Sequence, residues 1–235
     1  IEEQTKELEK LAPELLHVET KKTDFKELPN AVKGKVRTRF APEPSKYLHL
    51  GHALVFIIQK AYAIKYKGKC VLRFDDTNPE KSAKEFVEAT EEDIVWLKLS
   101  YDEKVIASTH MEVYYKYAEQ LIDIKKAYVC FCAQEQVKLG REKRERCSCS
   151  TKYNAKEEWK KMLQGRYKEG QCSLRLIADM SSDNGVLREP VIMRISLHPH
   201  YLQKEKYKVW PTYDFESSIE DSVLGITHVI RSKEL

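Results

Sequence analysis

The chain has 235 residues, of which 42% are hydrophobic and 33% are charged, and its formal net charge at pH 7 is +4. This composition is typical of a soluble globular protein that is long enough for one or two domains with a sizeable core. The mildly basic charge permits a polyanionic partner but does not require one. The longest apolar run, Ala53 to Ile58, is far shorter than the ~20 residues of a membrane span, and the charged segment Ile1 to Lys10 is unlike a signal peptide. We therefore expect a cytoplasmic protein.

The N-terminal part of the sequence differs from the rest of the chain. Leu8, Leu11 and Leu15 have helical spacing, and a polar stretch continues from there to Gly34. We expect residues 1–34 to form an appendage outside the main fold. A helix packed on the core is an equally good interpretation of the same spacing.

Apolar strands then alternate with amphipathic helices over residues 35–127. Gly68 follows the first of these helices, and Asp75-Asp-Thr-Asn-Pro79 is a turn that stops the second strand. The order strand, helix, strand, helix predicts an α/β fold with a parallel sheet covered by helices. The predicted strands are 36–40 and 69–74, and the predicted helices are 49–66, 83–97 and 111–125.

The pattern changes at Tyr128, where closely spaced cysteines and a mixed basic and acidic run begin. A helix is predicted over 155–163, and strand-like runs occupy 173–177 and 190–195. We interpret residues 128–205 as an inserted, partly antiparallel α+β subdomain. The α/β pattern returns at Tyr207-Lys-Val-Trp210, so that residues 206–235 are expected to begin the second half of the α/β domain.

A short histidine motif, His49-Leu-Gly-His52, comes after the first predicted strand. Two histidines three positions apart share one face of the first turn of a helix, and the helix N-terminus favours anionic phosphates. Gly51 would let a ligand approach the backbone closely, and Pro42 stiffens the preceding loop. Two surface histidines at a helix start are the simpler interpretation. The place of the motif at the carboxyl end of a strand, where open α/β sheets bind ligands, favours a nucleotide site.

Three blocks of sequence carry a family resemblance. They are Arg37-Thr-Arg-Phe-Ala-Pro-Glu-Pro-Ser-Lys-Tyr-Leu-His-Leu-Gly-His52, Leu72-Arg-Phe-Asp-Asp-Thr-Asn-Pro79, and Val209-Trp-Pro-Thr-Tyr-Asp-Phe215 continued by Gly225-Ile-Thr-His-Val-Ile-Arg231. Together they resemble, in family order over residues 36–235, the glutamyl- and glutaminyl-tRNA synthetases of class I. The resemblance implies a Rossmann-like parallel sheet with helices on both faces, interrupted by an inserted subdomain that holds the tRNA acceptor end.

The resemblance also implies a reaction. ATP, as its Mg²⁺ complex, would activate the α-carboxylate of the amino acid to an acyl-adenylate, and the acyl group would then move to the terminal ribose of tRNA. His49 and His52 would stabilise the phosphates in the transition state, Gly51 would lie under the adenine, and Pro42 would border the ATP site. Lys46 departs from the family, which usually has glycine there, and would narrow or recharge the loop over ATP.

Three residues are implied for the amino acid itself. Asp75 would hold the α-ammonium group of the substrate, and Tyr213 would contact the substrate from the facing strand. Glu43 would lie near the terminal adenosine or the amino acid. Without the resemblance, Asp75 would be interpreted as a turn-forming residue and Tyr213 as a core residue.

The side chain of glutamate ends in a carboxylate and that of glutamine in an amide. A carboxylate is best bound by the two parallel N–H donors of an arginine guanidinium. Arg231 occupies the position that is arginine in the glutamyl branch and typically cysteine in the glutaminyl branch. Arg39 would be a second cation, although it is arginine in both branches. We therefore predict the glutamyl branch, and the segments Leu28–Lys35 and Thr227–Arg231 resemble its archaeal and eukaryotic members. In the alternative, Arg231 pairs with a nearby acid such as Asp221 or Glu234 and supports only the fold.

The cysteines form two C-x-C pairs, which are separated by residues 133–146. Four thiolates in two short-spaced pairs can close a tetrahedral structural zinc site, and some members of the family carry zinc in the same insertion. We predict such a site, in which intervening cations such as Arg144 and Arg146 lower the pKa values of the thiols. Four unliganded thiols are the alternative. The predicted ligands are Cys130, Cys132, Cys147 and Cys149.

The sequence contains no loop resembling the second class I ATP motif, Lys-Met-Ser-Lys-Ser, and no anticodon-reading domain. We therefore expect this chain to be the part of a glutamyl enzyme that binds ATP, L-glutamate and the tRNA acceptor end. Three alternatives stay open at this point: a glutaminyl enzyme, a binding module without turnover, and a nucleotidyltransferase of similar fold.

Overall fold

The structure is a computed structural model that describes residues 26–231. The predicted N-terminal helix lies outside the described residues. The chain divides into two units after Ala31, and the helices and strands of the described residues all belong to the unit that begins at Val32.

A three-stranded parallel sheet forms first along the chain. It contains β1 (Arg37–Phe40), β2 (Lys69–Phe74) and β3 (Glu103–Ile106), in the order β1-β2-β3. Helix α1 (Leu50–Lys65) connects β1 to β2, and α2 (Lys84–Trp96) connects β2 to β3. The predicted strands and helices in this region are confirmed to within one residue at each end, whereas β3 was not predicted.

The packing of α1 on this sheet explains its sequence. Phe56 of α1 is buried and stacks on Phe40 of β1, with ring centroids 4.8 Å apart. The chain then reverses at Gly68, where an added Cβ would lie 1.9 Å from the Val36 carbonyl oxygen. Only glycine fits there, because the backbone must pass this close to β1 in order to enter β2.

Several helices follow β3 and continue into residues 128–205, the segment that we call the insertion. A 3₁₀ turn (Ala107–His110) leads from β3 into α3 (Met111–Asp123), which is two residues shorter than predicted. Within the insertion lie α4 (Gln134–Lys143), the short α5 (Cys149–Lys152) and α6 (Ala155–Leu163), the last with the predicted bounds. None of these helices, nor any other within residues 26–231, is long and apolar enough to cross a bilayer.

The second sheet has four strands, β4 (Ala127–Cys130), β5 (Ser173–Leu176), β6 (Val191–Ile195) and β7 (Val209–Pro211). Each pairs with the next in the antiparallel direction, so the sheet is wholly rather than partly antiparallel. Because β7 pairs with β6, this sheet continues past residue 205, where the sequence suggested that the insertion ends.

Helix α7 (Tyr213–Val223) leads from the second sheet back to the first. The stretch after α7 runs beside β1, where Thr227 donates its backbone N–H to the Arg37 carbonyl oxygen at 2.9 Å. It also passes α1, whose Gln59 side chain donates to the Ile230 carbonyl oxygen at 2.7 Å. The chain thereby brings Arg231 to the first sheet.

Candidate active site

The first turn of α1 holds the two motif histidines in a defined protonation pattern. Nδ1 of His49 accepts from the Gly51 backbone N–H at 3.1 Å, and Nδ1 of His52 accepts from the His49 backbone N–H at 3.3 Å. An accepting Nδ1 carries no proton, so each neutral ring carries its proton on Nε2. The two rings lie 3.9 Å apart between centroids. The turn therefore presents two Nε2–H donors side by side.

Two neighbours adjust this donor pair. A Cβ on Gly51 would lie 2.9 Å from Cε1 of His49, so the glycine makes room for the histidine ring. Burial, the nearby His49 ring and the charge of Lys46 together lower the pKa of His52. The departure at Lys46 thus adds positive charge beside the motif, as the sequence suggested.

A cavity of about 460 Å³ opens where β1 and β2 end. It brings together three residues that the sequence singled out, namely Glu43, Asp75 and Tyr213. The histidine pair is not part of its lining. The full lining is Ala41, Glu43, Asp75, Thr77, Asn78, Arg194, Pro211, Thr212 and Tyr213.

Asp75 forms part of the cavity wall but is itself nearly enclosed, with 4% of its surface exposed. Arg73, which sequence reasoning missed, makes a two-point ion pair with Asp75. Its Nε donates to Oδ1 at 2.5 Å and its Nη2 donates to Oδ2 at 3.1 Å. Burial raises the pKa of Asp75, and the Arg73 guanidinium opposes that effect. The two residues are two positions apart along the chain, and a charged pair with this spacing at the end of a buried strand is the signal that could have identified Arg73.

The two arginines predicted to bind the substrate carboxylate have different surroundings. Arg39 is buried and already makes a two-point ion pair with Asp221, at 2.8 and 3.2 Å. Arg231 is exposed, with its guanidinium carbon 5.6 Å from the centroid of the Tyr213 ring and a long 3.4 Å contact to the Ser217 hydroxyl. Arg231 therefore lies beside a cavity residue, and the acid Asp221 is engaged by other arginines. Glu234 lies outside the described residues.

Arg194 of β6 was not singled out from the sequence. Its side chain lines the cavity, and its buried Nε has no hydrogen-bond partner among residues 26–231. An arginine inside an apolar strand run, Val191–Ile195, is the signal that could have identified it.

The four paired cysteines meet at one point of the insertion. Their Sγ atoms all lie within 4.8 Å of one another, and the contacts from Cys147 to Cys132 and Cys130 are 3.3 and 3.6 Å. Cys130 ends β4, whereas Cys149 begins α5, so the backbone turns at each pair as the spacing requires. All four are free thiols.

The structure does not support the intervening cations as the cause of lowered thiol pKa values. Arg144 pairs with Asp183, and Arg146 pairs with the buried Glu189, so both arginines hold the 179–189 loop. Burial raises the pKa values of Cys130 and Cys132. At Cys147 burial acts in the same direction but is outweighed by hydrogen bonds from the Cys149 backbone and the other thiols, so the pKa of Cys147 is lowered. The cation that does touch the cluster is Arg175 of β5, whose Nη1 lies 3.7 Å from the Cys130 sulfur.

Comparisons with known proteins place this fold and site in a class. Residues 35–235 match the family described as tRNA synthetases class I (E and Q), catalytic domain. The chain therefore belongs to this family, and its parallel sheet with helices is the Rossmann-like class I catalytic fold.

Relatives narrow the class further. The chain is 44% identical to a glutamate–tRNA ligase of Nitrosopumilus maritimus over 99% of its length, and 42% identical to that of Pyrococcus furiosus over its whole length. These matches cover 42% and 43% of the two relatives, so the chain spans less than half of their length. A solved glutamate tRNA ligase from Elizabethkingia meningosepticum, in complex with its amino acid, matches 85% of this chain and 44% of that chain, at a TM-score of 0.62 and 25% identity. The predicted resemblance to the glutamyl branch is confirmed.

Proposed function

We propose that the protein is a glutamate–tRNA ligase, of which this chain carries the part that binds ATP, L-glutamate and the tRNA acceptor end. It would convert glutamate and ATP–Mg²⁺ to glutamyl-adenylate and transfer the glutamyl group to tRNA(Glu). The observation that carries the proposal is the cavity at the ends of β1 and β2, which Asp75 and Tyr213 line and beside which Arg231 lies. It supports the recognition of an amino acid that has both an ammonium group and a second carboxylate.

ATP would bind over the first turn of α1. The Nε2–H groups of His49 and His52 are donors for phosphate oxygens, and the positive end of the α1 helix dipole favours the same anions. Gly51 and Pro42 would border the adenosine. Because negative charge shifts onto the leaving pyrophosphate during adenylation, these fixed donors would stabilise the transition state more than the bound substrate. Lys46 adds a cation to the same loop.

Glutamate would bind in the cavity with its α-ammonium group at Asp75 and its γ-carboxylate at Arg231. Arg39 would contribute positive potential rather than a direct hydrogen bond to the substrate, because its Nε and Nη2 donors are already bonded to Asp221. Tyr213 would contact the substrate between its α-ammonium group and its γ-carboxylate. It lines the cavity, and the Arg231 guanidinium lies over its ring. Glu43 lines the same cavity from the first loop and would lie near the terminal adenosine of tRNA or the amino acid.

A structural Zn²⁺ fits the four thiols of the insertion. Tetrahedral thiolate ligands ~2.3 Å from zinc have sulfurs about 3.8 Å apart, and the shortest contacts here are 3.3, 3.6 and 3.8 Å. The ion would fix β4 to α5, and the insertion would then hold the acceptor end through its basic surface. The four cysteines would fill its coordination sphere, so we assign this zinc no part in the reaction.

The test is aminoacylation by the full-length protein, with purified tRNA(Glu), ATP–Mg²⁺ and labelled glutamate. Formation of glutamyl-tRNA that stops when Asp75 is replaced by asparagine supports the proposal. Charging with glutamine in place of glutamate would favour the glutaminyl alternative. Binding of ATP and glutamate without adenylate formation would indicate a binding module.

A further inference from the structure

One buried acid of α7 has no role in the proposed adenylation and transfer steps. Glu216 has no exposed surface, and both of its carboxyl oxygens lack a hydrogen-bond donor among residues 26–231. An ionised carboxylate without donors is costly to bury, because each oxygen loses its hydration and gains nothing in return. The side chain therefore needs either a proton or a counter-ion.

Glu216 lies against Asp75, the cavity residue that we propose for the substrate ammonium group. The two carboxyl groups approach the same guanidinium, and each shifts the pKa of the other. Both also face Arg73, whose Nε is 2.5 Å from Asp75 Oδ1 and 3.8 Å from Glu216 Oε1. Two carboxylates cannot hydrogen-bond to each other, whereas a carboxylic acid and a carboxylate form a strong hydrogen bond.

The charged groups around this pair leave no second cation for Glu216. Arg39 is occupied by Asp221, and Arg73 divides its donors between Asp75, Asp221 and Ser217. The remaining neighbours on α3 and the preceding turn, Tyr114 and His110, contact Glu220 rather than Glu216. The groups that face the pair are thus Arg73 from β2, Arg39 from β1, Glu220 and Asp221 from α7, and Tyr114 and His110 from the α3 side.

We propose that Asp75 and Glu216 share one proton before glutamate binds and that the α-ammonium group of glutamate displaces it, so that amino-acid binding releases a proton. This inference rests on the proposed role of Asp75. The O–H bond of the Glu216 carboxylic acid breaks, the electron pair stays on the carboxylate, and the proton passes to water. The incoming N–H donors and positive charge replace it.

Physical chemistry supports the direction of the exchange. Burial, and then the charge of Asp75, raise the pKa of Glu216 well above its ordinary value, which favours the protonated form of the pair when no substrate is bound. A cation bound at Asp75 favours the doubly ionised pair and lowers the pKa of the pair. Glu216 is thus a positioning residue that acts through Asp75, and glutamate binds more tightly as the pH rises through the pKa of the pair without substrate.

Calorimetry of glutamate binding to the full-length protein tests this exchange. Titrations at one pH in phosphate and in Tris, whose ionisation enthalpies differ, give the number of protons released. We expect about one proton per glutamate for the wild-type protein and close to none for Glu216→Gln, which keeps a donor to Asp75 but cannot ionise. Glu220→Gln, one turn further along the same helix and equally buried, is the matched comparison. It should still release a proton, but with the release shifted to lower pH, because the charge of Glu220 helps to raise the pKa of Glu216.

Infrared difference spectra of the wild-type protein provide a test that needs no variant to fold. Added glutamate should remove a C=O band of a protonated carboxyl group, whereas pentanedioate, which lacks the ammonium group, should leave it unchanged. Glutamate binding without proton release and without loss of that band would overturn the inference while leaving the proposed function intact. Equal release by wild type and Glu216→Gln would also overturn it. A protein that neither binds nor activates glutamate would overturn both.

Discussion

The edge of the parallel sheet and the thiol cluster of the insertion differ in how their buried polar groups are paired. At the sheet edge, Arg39 and Arg73 already pair with Asp221 and Asp75 through the protein's own atoms. At the thiol cluster, the sulfurs mainly contact one another, and Arg175 is the one cation among the described residues with a hydrogen bond to them.

This difference separates two kinds of site. The sheet edge is preorganised before any ligand arrives, so changes there should alter rates and selectivity more than folding. The proposed zinc ion would complete the thiol cluster, so changes there should alter the stability of the insertion. Substitutions at the two sites can therefore test the separation, from the largest expected effect to the smallest.

Removing the proposed zinc should have the largest effect. Structural zinc contributes about 10–16 kcal/mol to the folding of zinc-finger peptides, and we expect Cys147→Ser or chelation to unfold the segment around α4 and α5. Elemental analysis should give one zinc per full-length wild-type chain. Hydrogen exchange should show lost protection in α4 and α5 but not in β1 or β2.

Cys172→Ala is the control for this change, because Cys172 is a buried free thiol outside the four-cysteine cluster. It should keep the zinc. Metal-replete protein with no zinc and four freely titratable thiols would contradict the zinc site.

Replacing either motif histidine should slow adenylate formation. Loss of one transition-state donor typically costs about 10²–10³ in rate, so we expect this loss in tRNA-dependent pyrophosphate exchange for His49→Ala or His52→Ala, with little change in the KM for glutamate. His52→Gln retains an N–H near Nε2 and should recover part of the rate. His198→Ala, an exposed histidine elsewhere, is the control. Unchanged exchange in both alanine variants would remove the proposed role.

Replacing Arg231 should change which amino acid is preferred. Arg231 is exposed without substrate, and the bound glutamate would cover its guanidinium. Truncating one partner of such a desolvated charge pair costs about 2–5 kcal/mol, which is tens- to thousands-fold in affinity. Arg231→Cys should therefore reduce kcat/KM for glutamate sharply and narrow the preference over glutamine, and Arg231→Lys should fall between wild type and Arg231→Cys because it keeps the charge without the fork. If Arg231 supports only the fold, both amino acids would suffer alike and the protein would lose stability.

Acid should reduce the stability that His200 provides by its hydrogen bond to the loop after β2. Its Nε2–H donates to the Asp76 carbonyl oxygen at 2.9 Å, and burial lowers its pKa to about 4. Because the unfolded histidine takes up its proton near pH 6.5, the stabilisation is complete above that pH and is lost as the pH falls towards 4. We expect a loss of about 3 kcal/mol over this range, because each unit of pKa difference corresponds to about 1.4 kcal/mol.

Urea unfolding at several pH values measures this loss. His200→Gln retains a donor to Asp76 but does not titrate, so its stability should fall less on acidification than that of the wild type. Parallel pH curves for the two proteins would contradict the assignment to His200.

The sequence predicted the elements whose pattern is local. Helix α1, strand β2 and helix α6 were found because their apolar spacing and end signals lie within the elements themselves. Strand β3, Glu-Lys-Val-Ile, was missed because it is short, charged at its start and only half-buried. Helix α7 was missed because Glu216 and Glu220 occupy its buried face, which hides the apolar period.

Contacts between distant segments explain the remaining differences at the site. Asp221 is 182 positions from Arg39 and 148 from Arg73, so no local pattern could show that it occupies their forks. Arg144 and Arg146 lie near the cysteines in sequence, yet the fold turns them towards the 179–189 loop. Arg175 is remote in sequence from Cys130 and reaches it across paired strands. Nearness along the chain was therefore a poor guide to electrostatics.

Discrimination between glutamate and glutamine tests the central claim most directly. The measurement is kcat/KM for each amino acid in tRNA-dependent pyrophosphate exchange, with the full-length wild-type protein and ATP–Mg²⁺. Because glutamine would leave the Arg231 guanidinium without its carboxylate, we predict a preference for glutamate of about a hundredfold or more, within the range that a lost charge partner causes. Equal values for the two amino acids, or a preference for glutamine, would contradict this account.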